Sequence, residues 1–112
     1  MTEGIIEFND WAKLDLRVGE IVEVEDIEGA DKLYKFLVNI GSRKVTICAG
    51  IKEYYSKEEL KNKKVVVFVN LAPRKLRGIE SQGMILAACT ENEEEVVLIQ
   101  PEKDIEVGSE IK

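Results

Sequence analysis

The chain contains no histidine and only two cysteines among its 112 residues. Without histidine, it can assemble neither a Ser-His-Asp or Cys-His nucleophile nor a zinc site of the His-rich or four-Cys type. Cys48 and Cys89 each adjoin small apolar residues, which predicts buried, reduced thiols in strands rather than a disulfide. Carboxylates are plentiful, yet no two are marked as a convergent acid and base. An enzyme is possible but unsupported, and we expect no cofactor and no bound metal.

Long apolar runs are absent as well. No stretch reaches the roughly 18 residues that a membrane-spanning helix needs, and the N-terminus lacks the basic start and apolar stretch of a signal peptide. Apolar residues make up 45% of the chain and charged residues 34%, which suits a modest core under a charged surface. The sequence predicts one cytoplasmic domain over residues 1–112 that makes no membrane contact.

Basic residues are outnumbered by acidic ones, 16 to 22, but they are unevenly spread. Residues 31–80 carry 12 basic and 5 acidic side chains, a balance of +7, whereas residues 1–30 balance to −7 and residues 81–112 to −6. A basic middle between acidic ends indicates a localised site for nucleic acid. The alternative is a surface of solvated ion pairs, as heat-adapted proteins carry.

Most of the chain has the hydrophobic pattern of short strands. We predict strands at residues 17–27, 33–40, 44–49, 64–71, 83–88 and 96–100. Gly19 would permit a bulge in the first strand, and Gly-Ser-Arg at 41–43 predicts a tight hairpin turn. A terminal turn is predicted at residues 105–108.

Two short helices are predicted beside the strands. Apolar residues recur at spacings of three and four over residues 5–13, with Asn9 or Asp10 as the N-cap. Ser-Lys-Glu-Glu at 56–59 fits a capping box and predicts one helical turn that ends by Asn62. A mainly β chain with five or six short strands, and one small helix between the third and fourth, is typical of the OB-fold, a five-stranded Greek-key barrel.

The segment after the fourth strand is the most unusual in the chain. It places Arg74, Lys75 and Arg77 between Pro73 and Gly78, so three cations share one predicted loop. Nearby acidic residues are too few to screen all three charges. This loop is therefore the strongest candidate for a contact with a polyanion.

Aromatic residues are few, at 6% of the chain, and most belong to the basic middle. At least half of the residues in alternating strands must face the core, so we assign Phe36 and Phe68 to packing and keep Tyr34 as a candidate for stacking on a base. Tyr54 and Tyr55 precede the second helix and would line a groove or cover the barrel end.

Four sequence blocks stand in a fixed order along the chain. They are Asp-Leu-Arg-Val-Gly at 15–19, Ala-Asp-Lys-Leu-Tyr at 30–34, Asn-Leu-Ala-Pro-Arg-Lys-Leu-Arg-Gly at 70–78 and Ser-Gln-Gly-Met at 81–84. In this order they resemble the tRNA-binding domain family. The family includes free-standing tRNA-binding proteins, the C-terminal domain or separate β-subunit of methionyl-tRNA synthetases, and cofactors of eukaryotic synthetase complexes. The chain departs from the pattern at Ile27-Glu28, where the family often has His-Pro.

The resemblance implies an OB-fold that binds tRNA by shape, at the outer corner of the L, without reading an anticodon. Phosphate contacts would come from a basic surface of Lys32, Arg43, Lys44, Arg74, Lys75 and Arg77. Contacts to ribose or exposed bases would come from Asn70, Ser81, Gln82 and Met84, with Tyr34 as the stacking candidate. Without the resemblance, Asn70 would be a strand-end turn residue and Met84 a core filler.

The function implied is that of a noncatalytic tRNA-binding module. It would assist an aminoacyl-tRNA synthetase such as methionyl-tRNA synthetase, as a separate subunit or trans-acting factor. We expect a barrel core at about residues 15–90, with the extensions 1–14 and 91–112 forming a homodimer contact. The main alternative is an export-related, chaperone-like protein of the same fold that binds apolar peptides. A protein-interaction scaffold that uses the acidic ends is a further alternative.

Overall fold

The computed structural model describes residues 4–112. Within this range lie two short helices, α1 (Phe8–Trp11) and α2 (Lys57–Leu60). The strands are β1 (Leu16–Asp26), β2 (Tyr34–Asn39), β3 (Lys44–Ala49), β4 (Lys64–Phe68), β5 (Arg74–Leu76), β6 (Ile79–Ser81), β7 (Met84–Ile85), β8 (Ala87–Cys89), β9 (Val96–Leu98) and β10 (Glu110–Ile111). Neither helix is long and apolar enough to cross a membrane.

The main sheet is antiparallel and runs in the order β3-β2-β1-β4-β7, with β10 added beside β1. β1 is long and bent, because its first half pairs with β4 and its second half with β2. The bend carries a bulge between Ile21 and Glu23. A nearly closed sheet with few helices confirms the mainly β, OB-type barrel predicted from the sequence.

The edge of β3 is joined by hydrogen bonds to Ser81, the last residue of β6, and to Gln82, which follows it. The Cys48 N–H donates to the Ser81 hydroxyl oxygen at 3.0 Å, and the Thr46 N–H donates to the Gln82 amide oxygen, also at 3.0 Å. In return, the Gln82 N–H donates to the Thr46 carbonyl oxygen at 2.8 Å. We call these four residues the closing seam, because they join the two ends of the sheet.

Alternation along the strands builds the core. Tyr34, Phe36 and Val38 of β2 point inward, and the residues between them are half-buried. Leu60, at the end of α2, is fully buried against the same cluster. The capping box predicted for this helix is confirmed, since the Ser56 hydroxyl accepts from the Glu59 N–H while the Glu59 carboxylate accepts from the Ser56 N–H. One helical turn thereby covers an end of the barrel.

Several predicted details are wrong. The first helix has Glu7 at its N-cap, with no side-chain capping bond, rather than Asn9 or Asp10. Gly19 is not the bulge; a Cβ there would lie 2.8 Å from the side chains of Val38 and Val67, so it permits close packing across the barrel.

The predicted cationic loop is in fact a hairpin, β5 and β6, with Arg77 and Gly78 at its turn. Both turn residues have left-handed backbone, with φ of 52° and 80°. The predicted strand 83–88 is divided into β7, which pairs with β4, and β8, which pairs with β9. Cys48 is buried as expected, but Cys89 is exposed because it lies in the outer β8–β9 hairpin.

The C-terminal segment is part of the barrel, so a core ending near residue 90 is too short. Leu98 is buried in the core, and Ile111 is the cross-strand partner of Leu16. The turn before β10 crosses the β2–β3 hairpin, where the Cα of Gly108 would lie only 2.9 Å from a Cβ placed on Gly41. The structure therefore needs glycine at this crossing.

We predict that Gly41→Ala lowers the free energy of unfolding by about 2 kcal/mol or more, because a methyl group at φ +96° would also strike Gly108. Gly29→Ala is the matched control. Gly29 has a similar φ of +79° but open space around its missing Cβ, and its loss should be about 1 kcal/mol. Urea unfolding measures both. Equal losses would contradict the crossing as a packing constraint.

Candidate nucleic-acid interface

A groove of about 550 Å³ runs between the β5–β6 hairpin, the segment after β3 and the β8–β9 hairpin. This volume lies within the usual range for small-ligand sites, about 300–1,000 Å³. The groove's apolar lining includes Leu33, Leu76, Met84, Ile85, Ala87 and Val96. Its charged lining comes from Lys32, Glu53, Arg74 and Glu93.

The groove carries side chains of both charge signs. Arg74 stands two residues from Leu76 on β5, beside the cluster in which Leu33 and Leu76 pack on Cys48. The Tyr54 hydroxyl donates to the Glu93 carbonyl oxygen at 2.7 Å and so joins the β8–β9 turn to the segment that holds Glu53.

The pKa of the Tyr54 phenol is affected by the two glutamates of the groove. Burial is the largest cause that raises the pKa of its phenol, and the nearby Glu53 and Glu93 carboxylates raise that pKa further. Both carboxylates therefore lie near the Tyr54 phenol. Nothing in the sequence pattern could show that a hydrogen bond from Tyr54 holds the turn that carries Glu93 at the groove.

Only some of the six cations of the predicted basic surface lie close together in the structure. Lys32 and Arg77 line one further cavity of about 280 Å³ beside the groove, and Arg74 belongs to the groove itself. Lys75 alternates with Arg74 along β5, opposite Glu80, and lines neither cavity. Lys32, Arg74 and Arg77 therefore form one cationic group.

Arg43 and Lys44 lie away from that group, at the β2–β3 turn. This turn is at the opposite end of β3 from Ala49, roughly 16 Å away at the usual rise per residue. Arg43 lines a separate cavity of about 430 Å³ with Arg17. Among residues 4–112, the ion pairs involve other cations, and none of the six predicted contacts takes part in one.

Tyr34 and Ser81 are corrections to the predicted site. Tyr34 is only 5% exposed, its ring meets Phe36 edge-on at 5.9 Å, and its hydroxyl donates to the Tyr55 carbonyl oxygen at 2.8 Å. Ser81 is 2% exposed and belongs to the closing seam. Neither side chain presents a surface to RNA, because each is used inside the fold.

The other uncharged candidates differ in how free their side chains are to contact RNA. The side-chain oxygen of Asn70 accepts a hydrogen bond from the Asp15 N–H at 2.8 Å, and its amide nitrogen donates to the Lys13 carbonyl oxygen at 2.7 Å. Asn70 therefore anchors the N-terminal segment. The Gln82 amide oxygen is occupied by the closing seam. Met84 is 40% exposed on the groove, which excludes the alternative that it fills the core.

The segment from Ile51 to Tyr55 is fixed to the barrel from several sides. The Leu98 N–H donates to the Tyr55 hydroxyl at 3.1 Å, and the Lys52 N–H donates to the Lys32 carbonyl oxygen at 3.2 Å. The side chain of Lys52 pairs with Asp26 at 3.0 Å. This wall of the groove is therefore preformed.

Comparison with known proteins agrees with the sequence motifs. A family model described as "Putative tRNA binding domain" matches residues 16–110. The chain belongs to the tRNA-binding domain family. It is 50% identical over 107 residues to a methionine–tRNA ligase of Pyrococcus horikoshii, an alignment that covers 96% of this chain and 14% of that protein.

Two solved structures resemble this tRNA-binding domain closely. The first is a MetRS related protein from Pyrococcus horikoshii, 35% identical, with a TM-score of 0.90 and coverage of 96% of this chain and 98% of that one. The second is a CsaA chaperone protein from Picrophilus torridus, also 35% identical, with a TM-score of 0.86 and coverage of 96% and 100%. The predicted resemblance to the family is confirmed.

We predict that Asp26→Asn lowers the melting temperature at pH 7 and that this difference shrinks as the pH falls below about 3.9. Hydrogen bonds from Lys57, and then from Lys52, hold the pKa of the Asp26 carboxyl below its ordinary value. A lowered folded-state pKa stabilises the fold above the unfolded pKa, about 3.9, and this contribution disappears as pH falls through the folded value.

Melting curves of both proteins between pH 3 and pH 7 measure this effect. Asp31→Asn is the control, because Asp31 is exposed and takes part in no ion pair within residues 4–112. A difference between wild type and Asp26→Asn that stays constant with pH would show that the lysine contacts do not stabilise the groove wall.

Proposed function

We propose that this domain is a noncatalytic module that binds tRNA by its shape, at the outer corner of the L. The observation that carries the proposal is the exposed group of Lys32, Arg74 and Arg77 beside an open groove, in a chain of the tRNA-binding domain family. Cations without carboxylate partners are free to contact phosphates, and such contacts position a nucleic acid without reading its sequence.

Arg43 and Lys44 would supply a second set of phosphate contacts. Their separation from the groove, roughly 16 Å along β3, suits a folded RNA that lies along this edge of the barrel better than a single short strand. The acidic residues near both ends of the chain would limit nonspecific adhesion.

The proposed role is to strengthen the hold of an aminoacyl-tRNA synthetase on its tRNA, in the cytoplasm. The chain corresponds to 14% of the Pyrococcus horikoshii methionine–tRNA ligase that it matches, which supports methionyl-tRNA synthetase as the partner enzyme. A second contact site raises the effective concentration of tRNA at the enzyme, so a modest affinity in this module is sufficient.

The N-terminal segment is the proposed centre of a homodimer. Ile5 and Phe8 are 73% and 75% exposed, and Ile6 is similarly open. Val97, Ile99 and Ile105 add exposed apolar surface from the C-terminal part of the chain. Apolar side chains exposed to this degree favour association with a second copy. Residues 1–3 of the predicted extension lie outside the described residues.

A peptide-binding, chaperone-like function is the second candidate. It is supported by the likeness to a CsaA chaperone protein and by the exposed Met84 in a largely apolar groove. Methionine adapts to different apolar partners, which suits a promiscuous peptide site. The two candidates differ in salt dependence, because apolar peptides release few counterions.

We predict that the Arg74/Lys75/Arg77→Glu variant loses at least about tenfold in affinity for tRNA at 0.1 M salt, with a shallower salt dependence. The measurement is a competition titration of labelled tRNA against duplex and unstructured RNA of equal length, at several salt concentrations. Wild type should prefer tRNA, and its affinity should fall steeply with salt.

Lys61/Lys63/Lys103→Glu is the matched control, since it makes the same change of charge at residues that line neither the groove nor its neighbouring cavity. This variant should keep most of the tRNA affinity. Equal binding of all RNAs, or competition by an apolar peptide with little salt dependence, would replace the tRNA proposal with the chaperone-like one.

We also predict that Phe8→Asp shifts the protein from dimer to monomer without unfolding it, because Phe8 is exposed and makes no core contact. Sedimentation velocity measures the state of association, and circular dichroism checks the fold. A wild type that sediments as a monomer at every concentration would refute the dimer.

A further inference from the structure

The tip of the β5–β6 hairpin is a two-residue turn that does not suit the residue at its first position. Arg77 and Gly78 lie between the paired Leu76 and Ile79, with φ of 52° and 80°. Positive φ at both positions makes this a type I′ turn, which prefers Asn, Asp or Gly at the first position. An arginine there lowers the stability of the hairpin relative to asparagine, because left-handed backbone crowds its Cβ. Arg77 is thus not the residue that the turn itself favours.

The turn and the loop between β1 and β2 are held together by one small apolar cluster. Leu76 and Ile79, which flank the turn, pack against buried residues that include Ala30 of that loop. Leu33, at the end of the loop, packs against the same cluster. Because the cluster fixes both chain segments, the side chains that project from them keep a defined separation before any ligand binds.

A cavity of about 280 Å³ lies where these two segments meet. It is lined by residues 30–33 and by Arg77, which reaches it from the hairpin. Lys32 and Arg77 are both exposed, and neither takes part in an ion pair within residues 4–112. Asp31 is the third charged residue of the lining, so two cations and one carboxylate leave a net charge of +1. That charge is complementary to one phosphodiester group, which carries a single negative charge.

The chemistry of the two cations suits a phosphate that is held from both sides. An arginine guanidinium can donate two parallel N–H bonds to phosphate oxygens, whereas a lysine ammonium acts as a compact point charge. Contacts from two different chain segments define where the phosphate lies, and they do not depend on the base attached to it. An RNA backbone that enters this cavity would therefore be positioned without any reading of its sequence.

We propose that Lys32 and Arg77 hold one phosphate of the bound RNA between them, and that this contact offsets the stability lost at the Arg77 turn. This inference rests on the proposed function and assigns one phosphate subsite to two of its cations. Arg74 belongs to the groove and does not line this cavity, so it would contact a different part of the RNA.

The first test is Arg77→Asn, which should move stability and affinity in opposite directions. Asparagine before Gly78 gives the turn a preferred sequence, so the urea midpoint should rise. The affinity for labelled tRNA should fall at least about fivefold, and the slope of its salt dependence should become shallower by about one.

Two further variants separate the charge of Arg77 from its place in the turn. Arg77→Lys keeps the charge and the unfavourable turn residue, so it should bind tRNA more tightly than Arg77→Asn with no gain in stability. Lys103→Gln removes a positive charge outside the cavity, and it should leave the tRNA affinity near that of wild type.

The second test is a double-mutant cycle on tRNA affinity. If Lys32 and Arg77 share one phosphate, the loss in Lys32→Gln/Arg77→Asn should be at least about threefold smaller than the product of the two single losses. Arg74→Gln combined with Arg77→Asn is the matched cycle on the same hairpin. Those two cations do not share a cavity, so their losses should multiply.

The outcomes separate this inference from the proposed function. Losses that multiply for Lys32 and Arg77, an unchanged affinity in Arg77→Asn, or equal coupling in both cycles would overturn the shared phosphate. A urea midpoint that falls or stays the same in Arg77→Asn would overturn the stability cost of the turn. In each of those cases, salt-dependent tRNA binding by wild type that is lost in Arg74/Lys75/Arg77→Glu would leave the tRNA-binding function standing. Failure of wild type to bind tRNA at all would overturn both.

Discussion

The closing seam is the constraint on which the interface depends. Strand pairing accounts for the sheet from β3 to β7, and its β3 edge is held to Ser81 and Gln82 by two side-chain acceptors and one backbone hydrogen bond. The β5–β6 hairpin lies just before this seam and projects Arg74 and Arg77 outward. A buried hydroxyl that satisfies a backbone N–H thus helps to fix the position of cations that form no ion pair within residues 4–112.

Local patterns were sufficient to predict most of the barrel. Alternation placed β2 and β3 within a residue of their observed bounds, and the capping box at Ser56 located α2. The same alternation could have corrected one prediction. Tyr34 is two residues from Phe36, so a period of two puts both on the core face, and its hydroxyl needed a buried partner rather than an RNA.

The remaining site could not be predicted, because it depends on contacts between residues distant in sequence. The backbone of Glu93 is held at the groove by a hydrogen bond from Tyr54, which is 39 residues earlier. Arg43 and Lys44 are close in sequence to groove residues but lie at the other end of β3. A count of charges along the chain cannot tell a charged residue that lies at the groove, such as Glu93, from charged residues that lie away from it, such as Arg43 and Lys44.

The pairing of β10 with the start of β1 also determines how this domain can be joined to other polypeptides. Leu16 and Ile111 are cross-strand partners, so the two ends of the barrel leave it side by side. The groove lies near the opposite end of β1, where Asp26 pairs with Tyr34. A fused enzyme domain would therefore stand in nearly the same place whether it were attached before or after the barrel, on the side away from the groove and beside the β2–β3 turn that carries Arg43.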